Sequence, residues 1–281
     1  MTSILEHLST LVGERNPFTS MERLGQAGGY IESQFASLGL RVETDTVPYE
    51  GVRSQNVLGH KDGADGPGEY FVLAAHYDTV QGSPGADDNA SAVAGMLEIA
   101  RLLQPVPLRT TLLFAGFTLE EYGFVGSRQF AERARKNNDC IKGMISLEML
   151  GCRRREPGSQ TYPPYVDAGQ YPDTGDFVAV VGNAPSAGLT ADIAEKMRQT
   201  VPQLPVESLV LPGSGEQFTD IRLSDHAPFW ENGFRAVMVT DTAYFRNPNY
   251  HQPTDTLETL DIDFIRDISA GVAGFLIKHL G

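Results

Sequence analysis

The sequence is poor in cysteine and contains no long apolar run. Its 281 residues include two cysteines, Cys140 and Cys152, in no zinc-knuckle spacing, so we expect packed thiols in a reducing compartment rather than a disulfide framework. No apolar run reaches the roughly 18 residues of a transmembrane helix, so no membrane span is predicted. The start, MTSILEHLST, lacks the basic and apolar regions of a secretory signal, which predicts a cytoplasmic protein.

Positive charge is scarce as well. The chain has 22 Lys and Arg against 36 Asp and Glu, which gives a formal net charge of −14. Nucleic acids and anionic membranes both attract clustered positive charge, so neither is predicted as a partner. The one basic run, Arg153 to Arg155, is short and is interpreted as a solvated loop. No oligomeric state is predicted.

What the sequence does contain is an alternation of buried strands with helices. EYFVLAAHYD, TTLLFAGFT and IKGMISLEML are nearly continuous apolar runs, typical of strands buried on both faces. Between them, NASAVAGMLEIARLL and GSRQFAERARKN have the composition of helices, and DIDFIRDISAGVAGFLIKHL predicts a closing helix. Further strands are predicted in RVETDTVPYE, QNVLGHK, FVAVVG, SLVLP and FRAVMVT, and an early helix is predicted between residues 19 and 38.

This alternation predicts the fold class. We expect an α/β protein, a three-layer α/β/α sandwich around a mixed, mainly parallel central sheet. Because 281 residues with 41% hydrophobic content suit one sizeable core, residues 1–281 are predicted to form a single catalytic domain. The Pro-, Gly- and Tyr-rich segment 153–176 does not fit the alternation and is predicted to be a surface excursion beside the functional site.

Polar residues end the apolar strands, at the edge where open α/β sheets bind ligands. His76 and Asp78 end EYFVLAAHYD, and Glu120 and Glu121 directly follow TTLLFAGFT. One of two adjacent carboxylates can bind a divalent metal while the other serves as general base. Glu148 lies in an otherwise apolar strand, where an unpaired charge is costly, so a partner is expected for it.

Two turns complete the candidate set. Asp87 lies in GSPGADDNASAV just before a helix, where Asp87, Asp88 and Asn89 compete for the capping position, so position alone leaves a helix cap and a metal bridge both open. His251 lies in the Pro-bounded loop NPNYHQPTDT, with no packing role for an imidazole. Two histidines with three carboxylates and no thiolate suit zinc, manganese or cobalt, and they are enough for two metals sharing one carboxylate.

Taken together, these motifs resemble metallopeptidase family twenty-eight. The resemblance is carried by AAHYDTV, PGADDNASAV, FTLEEYGFVGS, SLEMLG, SDHAPF and YHQPTDT, and it runs from about Arg15 to the C-terminus. That family contains bacterial two-zinc aminopeptidases, glutamate carboxypeptidase and, as a relative, glutaminyl cyclase. The resemblance implies zinc as cofactor, with two ions per chain, and a peptide or small aminoacyl compound as substrate.

The resemblance also implies a role for each candidate residue. It makes Asp87 the bridging carboxylate, Glu120 the general base, Asp78 the group that orients His76, and Tyr250 a donor to the oxyanion. The implied zinc ligands are His76, Asp87, Glu121, Glu148 and His251, with Asp225 and His226 close behind them. The best-known members have Asp in place of Glu148, so the ligation of one zinc is expected to be weaker or altered.

The function predicted in this way is metal-assisted hydrolysis of a peptide bond, with removal of an N-terminal residue. One alternative is a glutaminyl-cyclase-like acyltransferase with a single zinc, in which His76 and Glu148 are not ligands. A carboxypeptidase or dipeptidase is another, and it would need a cation such as Arg153–Arg155 or Arg222 for the substrate carboxylate. A non-catalytic binding protein on the same fold would show broken ligands or lack Glu120.

Overall fold

One mixed sheet organises the molecule. The computed structural model describes residues 3–66 and 68–281. Its strands are β1 (Arg41–Tyr49), β2 (Val52–Lys61), β3 (Glu69–His76), β4 (Thr111–Phe117), β5 (Cys140–Glu148), β6 (Val178–Asn183), β7 (Val206–Leu211) and β8 (Ala236–Thr240). They form an eight-stranded sheet in the order β1-β2-β4-β3-β5-β8-β6-β7.

The sheet is parallel at its centre and antiparallel towards its edges. Strands β4, β3, β5 and β8 run parallel to their neighbours in this row, and β6 pairs with β7 in the same manner. The β1–β2 hairpin adds to β4 in antiparallel fashion, and β6 is antiparallel to β8. The mixed, mainly parallel sheet predicted from the sequence is therefore confirmed.

Helices cover both faces of the sheet. They are α1 (Ile4–Leu11), α2 (Met21–Ser37), α3 (Ala92–Leu103), α4 (Val125–Asn137), α5 (Ala187–Thr200), α6 (His226–Glu231) and α7 (Ile262–Leu280). Apolar residues of α1, α2, α3, α5 and α7 join one core cluster, and those of α4 and α6 join the other. Because the sheet lies between two apolar clusters, the three-layer α/β/α architecture is confirmed as well.

The apolar runs are continuous because both faces of the central strands are covered. In β3, Phe71 and Leu73 belong to the cluster under α3 and α7, whereas Val72 and Ala74 belong to the cluster under α4 and α6. Successive side chains of a strand point to opposite faces, so a strand covered twice needs apolar residues at every position. The polar residues are left at the strand ends.

Some elements were not predicted. Helices α1 and α5 were missed, and α6 is only six residues long, too short for a helical period to be visible. Segment 153–176 contains one short 3₁₀ turn, Ala168–Gln170, and otherwise irregular backbone. Among the helices of residues 3–66 and 68–281, none combines the length and apolar character needed to cross a membrane.

Candidate metal centre

Two histidines, the buried His76 and the half-buried His251, face opposite oxygens of one carboxylate, that of Asp88. His76 Nε2 lies 3.4 Å from Asp88 Oδ1, and His251 Nε2 lies 3.1 Å from Asp88 Oδ2. On the first side, Glu148 Oε2 is 3.5 Å from His76 Nε2, and on the second, Glu121 Oε2 is 3.1 Å from His251 Nε2. Two ligand groups of metal-binding dimensions therefore share Asp88: His76 with Glu148, and His251 with Glu121.

This geometry corrects the choice of Asp87 as the shared carboxylate. Asp87 points away from the histidines: its Oδ1 accepts a hydrogen bond from the Gly151 N–H at 2.7 Å, and its Oδ2 accepts one from the Asn247 side-chain amide at 2.6 Å. A side chain on Gly151 would meet Asp87 Oδ1 at 3.0 Å, so glycine permits this close approach. Asp87 and Asp88 are adjacent in sequence, and the path of the turn decides which one faces the histidines.

The third residue of this turn serves another purpose. The side-chain amide of Asn89 donates to the carbonyl of Leu147 at 3.1 Å, and its oxygen accepts from the N–H of Met149 at 2.9 Å. Neither Asp88 nor Asn89 caps α3, whose N-cap is Ser91 without a side-chain capping bond. The helix cap that the sequence left open for Asp88 or Asn89 is therefore not formed by either residue, and Asn89 instead connects the turn to the end of β5.

Asp255 fixes the backbone of the turn and was missed in the sequence. Its two carboxylate oxygens accept hydrogen bonds from the N–H groups of Asp87 at 2.9 Å and Asp88 at 3.1 Å. Burial, followed by the charge of Asp87, raises the pKa of Asp255 to about 7. Asp255 lies in the same YHQPTDT motif as His251, so its place in the sequence was a signal that it belongs to the site.

Arg15 connects the two chain segments that carry His76 and Asp88. Its guanidinium is fully buried and donates to backbone carbonyls of Leu11, Gly13, Tyr77, Pro84 and Gly85, at distances from 2.6 to 3.1 Å. Burial lowers the pKa of Arg15 to about 10, and nearby Asp78 and Asp88 oppose this shift, so the side chain is charged at neutral pH. Nothing in the sequence motifs indicated this role.

Asp78 holds the turn that carries the two adjacent glutamates. Its Oδ1 accepts from the Glu120 N–H at 3.0 Å, and its Oδ2 accepts from the Glu121 N–H at 3.2 Å. The same Oδ1 is 3.6 Å from His76 Nδ1, on the side of the ring away from Asp88. Glu121 is thereby directed to His251, whereas Glu120 Oε2 lies 3.9 Å from His76 Nε2.

Two residues of the SDHAPF motif, Ser224 and Asp225, interact with the metal-ligand cluster. Ser224 Oγ donates to Glu148 Oε2 at 2.7 Å and so orients this carboxylate. Asp225 is fully buried and interacts electrostatically with His76 and Glu148. His226 is directed elsewhere: its ring packs edge-on against Trp230 at 4.5 Å, and its Nε2 bonds to the Ile221 carbonyl at 2.8 Å.

Protonation in this cluster is controlled by the burial of many carboxyl groups. Burial, followed by the charges of Glu148, Glu121 and Asp225 against the opposing charge of His76, holds the pKa of Glu120 well above its usual range. Burial and the neighbouring Asp88 charge raise the pKa of Glu121 to about 7. For Asp88 itself, burial favours the neutral form, but the interaction of its carboxylate with the imidazoles of His251 and His76 prevails and lowers its pKa.

These residues fit a divalent metal. Within the described chain, His76 Nε2, His251 Nε2 and Glu121 Oε1 are buried atoms without a hydrogen-bond partner, and all three belong to the cluster around Asp88. Unpartnered buried polar atoms are costly, and imidazole nitrogens with carboxylate oxygens are ligands that zinc accepts. A cation there would also offset the excess of buried negative charge.

A cavity adjoins the cluster on the side of Glu148 and Tyr250. Its volume is about 100 Å³. It lies against β6, β7 and β8, and residues of segment 153–176 form another wall, so that this segment lies beside the cluster. The apolar lining includes Tyr162, Pro163, Val166, Tyr171, Phe177, Ala179, Val181, Leu209, Ile221, Leu223, Met238, Tyr244, Phe245 and Tyr250.

Comparison with known proteins matches this chain to one family of peptidases. The model of peptidase family M28 matches residues 56–276. Uncharacterized protein YfbL of Escherichia coli (strain K12) is 35% identical over 267 residues, which is 92% of this chain and 81% of that protein. Aminopeptidase YwaD of Bacillus subtilis (strain 168) is 30% identical over 216 residues, or 73% of this chain, but the match spans only 40% of that aminopeptidase.

Solved structures agree with this assignment. BSAP, a zinc aminopeptidase from Bacillus subtilis, is 25% identical with a TM-score of 0.60, over 83% of this chain and 51% of that one. Porphyromonas gingivalis glutaminyl cyclase has a TM-score of 0.73 at 17% identity, over 99% and 96% of the two chains, a likeness of fold. The site and these relatives define a metal-dependent hydrolase with zinc as its metal. The chain belongs to peptidase family M28.

We expect Arg15→Met to destabilise the protein strongly, because the substitution leaves several buried carbonyls without a donor. The free energy of unfolding should fall by about 3–5 kcal/mol, as when one partner of a buried charged network is removed. Chemical denaturation of the zinc-free protein measures the change. Arg23→Met, on an arginine that bonds carbonyls in a more exposed place, is the matched control. Equal losses for the two variants would contradict the role of Arg15.

Proposed function

We propose that this protein is a zinc aminopeptidase that removes N-terminal residues from peptides with two zinc ions. His76, Asp88 and Glu148 would hold one ion, and Asp88, Glu121 and His251 the other. The observation that carries this proposal is the position of Asp88, whose two oxygens face the two histidines at 3.4 and 3.1 Å. A carboxylate that faces two ligand groups in this way could serve both members of a pair of ions.

The residues around the ions would position and move the reacting groups. Zinc in this cluster supplies Lewis acidity towards the scissile carbonyl and the attacking water. Glu120 accepts the proton of that water and returns it to the departing amine, a role supported by its buried place next to His76. Asp78 holds the Glu120 backbone, and Tyr250 stays protonated because burial raises its pKa, so its hydroxyl can donate to the oxyanion.

The charges beside the cavity favour an amino group over a carboxylate in the substrate. Glu148, Glu207 and Asp220 line the cavity, and no Lys or Arg is present among the described lining residues. Two of the arginines considered for a carboxypeptidase are engaged elsewhere: Arg222 pairs with Glu231 at 2.6 Å, and Arg153 packs over the Phe264 ring at 5.2 Å. A free α-amino group is therefore the feature of the substrate that this site suits best.

The ligand group of His76, Asp88 and Glu148 argues against the glutaminyl-cyclase-like alternative. A single-zinc acyltransferase would use the carboxylate of this turn with Glu121 and His251 and leave His76 and Glu148 without a metal role. Here His76 Nε2 is buried beside both Asp88 and Glu148, and the extra methylene of Glu148 still brings its Oε2 within 3.5 Å of the imidazole. That position supports a second ion and hence hydrolysis.

Substitution of the two adjacent aspartates distinguishes their roles. We expect Asp88→Asn to bind less than two equivalents of zinc, because its amide cannot serve as a shared anionic ligand. Asp87→Asn should retain two equivalents while its melting temperature falls, since Asp87 bonds to Gly151 and Asn247 rather than facing the histidines. Elemental analysis after dialysis gives the stoichiometry. Loss of zinc from the Asp87 variant alone would return the bridging role to Asp87.

Glu120→Gln tests the general base. The variant should bind zinc normally, while kcat falls by about 10²- to 10⁴-fold, the usual contribution of a positioned proton acceptor. Glu132→Gln, on an exposed residue of α4, is the matched control and should keep full activity. Near-normal turnover by the Glu120 variant, with zinc content unchanged, would refute the assignment.

The aminopeptidase proposal itself is tested with aminoacyl p-nitroanilides in free and acetyl-capped forms. Zinc-reconstituted protein should release p-nitroaniline from the free-amino series and leave the capped series intact, because the carboxylates around the site favour the ammonium or amine of the substrate. Release is followed by absorbance. Cleavage of both series at similar rates, or of neither, would contradict the proposal.

A further inference from the structure

Three aromatic side chains form a cluster beside the metal centre that the proposed mechanism does not use. The rings of Phe18, Tyr49 and Tyr122, here called the aromatic platform, lie within 5.3 to 6.4 Å of one another. They come from three separate segments: the loop before α2, the end of β1 and the turn after Glu121. None of them belongs to the two apolar core clusters, so core packing does not account for the cluster.

The topology brings this platform to the same edge of the sheet as the metal centre. Val57 of β2 pairs with Gly116 near the end of β4, and β2 extends from there back to Val52. The five residues from Val52 to the residue before Val57 extend the β1–β2 hairpin roughly 16 Å beyond the Val57–Gly116 pair. This extension runs towards the carboxyl end of β4, which Glu120 and Glu121 follow. Tyr49 pairs with Val52 at the tip of this hairpin. The hairpin is thus a wall on the Glu121 side of the cluster.

The platform is attached directly to segments of the metal centre. The buried side-chain amide of Asn16 donates to the Tyr122 hydroxyl at 2.6 Å and to the Thr79 carbonyl at 3.0 Å. Thr79 follows Asp78, and Tyr122 follows Glu121. Burial raises the pKa of Tyr122, and the charges of Asp78 and Glu121 add to this shift, which reflects their proximity. The hairpin is held by the Tyr77 hydroxyl, which donates to the Gln55 carbonyl at 2.6 Å.

The two sides of the metal centre differ in shape. On the Glu148 side, the cavity of about 100 Å³ is walled by segment 153–176 and suits one side chain at the end of a peptide. On the Glu121 side the platform is open, and Phe18 is 48% exposed. A peptide whose first residue lies in the cavity must continue past the cluster, and the open aromatic surface is in its path.

Resting on the proposed aminopeptidase function, we propose that the aromatic platform binds the side chain of the second substrate residue, immediately after the scissile bond, and that it selects large apolar or aromatic side chains there. Aromatic rings prefer edge-on and offset contacts with other rings at about 4.5–7 Å, and the platform already has this spacing. No charged side chain is part of the platform, so an acidic second residue gains nothing from it.

The experiment compares peptide amides that share their first residue: Leu-Phe-NH₂, Leu-Gly-NH₂ and Leu-Asp-NH₂, assayed with the zinc-reconstituted full chain. We expect kcat/KM for Leu-Phe-NH₂ to exceed that for Leu-Gly-NH₂ by about tenfold, the ratio that one additional aromatic contact supplies. In Phe18→Ala this ratio should fall towards one. Tyr49→Ser, on a second segment, should lower it as well, so that the result does not depend on one variant.

Leu5→Ala is the control, because Leu5 is an exposed apolar residue of α1, 50% accessible and outside the platform. It should leave the ratio as in the unmodified protein. If the unmodified protein cleaves all three amides at equal kcat/KM, or if the ratio survives in both platform variants, the platform has no such role while the aminopeptidase function stands. If no amide is cleaved, the proposed function fails and this inference fails with it.

Discussion

A buried carboxylate between two imidazoles must be held from several sides, because an anion removed from water is stable only where charge and hydrogen bonds compensate it. In this protein the compensation around Asp88 extends outwards in layers. Asp255 accepts hydrogen bonds from backbone N–H groups of the turn that carries Asp88. Arg15 donates to backbone carbonyls just before this turn, and Asn89 joins the turn to the end of β5. The excess of acid that remains is the charge a cation would neutralise.

The sheet explains why so many carboxyl groups can converge without disrupting the core. Each strand that delivers a ligand-type residue is mainly apolar in its buried part and carries that residue at its last position or just after it, as with His76 and Glu148. Parallel strands end at one edge, so residues far apart in sequence meet there. The two sides of the site then differ: one carries the cavity walled by segment 153–176, and the other carries the β1–β2 hairpin and the partly exposed aromatic platform.

The same fold carries different chemistry in its relatives, since glutaminyl cyclase and zinc aminopeptidases both resemble this chain. A shared fold therefore does not determine the reaction, which has to be inferred from the residues around the metal ligands. Here they are the presence of His76 and Glu148 beside Asp88, the Ser224 hydrogen bond that orients Glu148, and the absence of a cation from the described cavity lining.

Much of this protein is determined by its sequence alone. Continuous apolar runs predict doubly covered strands, and ligand-type residues at their ends predict the edge of the site, because strand burial and strand direction are local properties of the pattern. Tertiary structure decided the rest. Asp87 and Asp88 are equivalent in sequence, and only the path of a turn held by Asp255 and Arg15 directs Asp88 to the histidines. Contacts between distant segments, such as Asn16 with Tyr122, leave no periodic signal in a single chain.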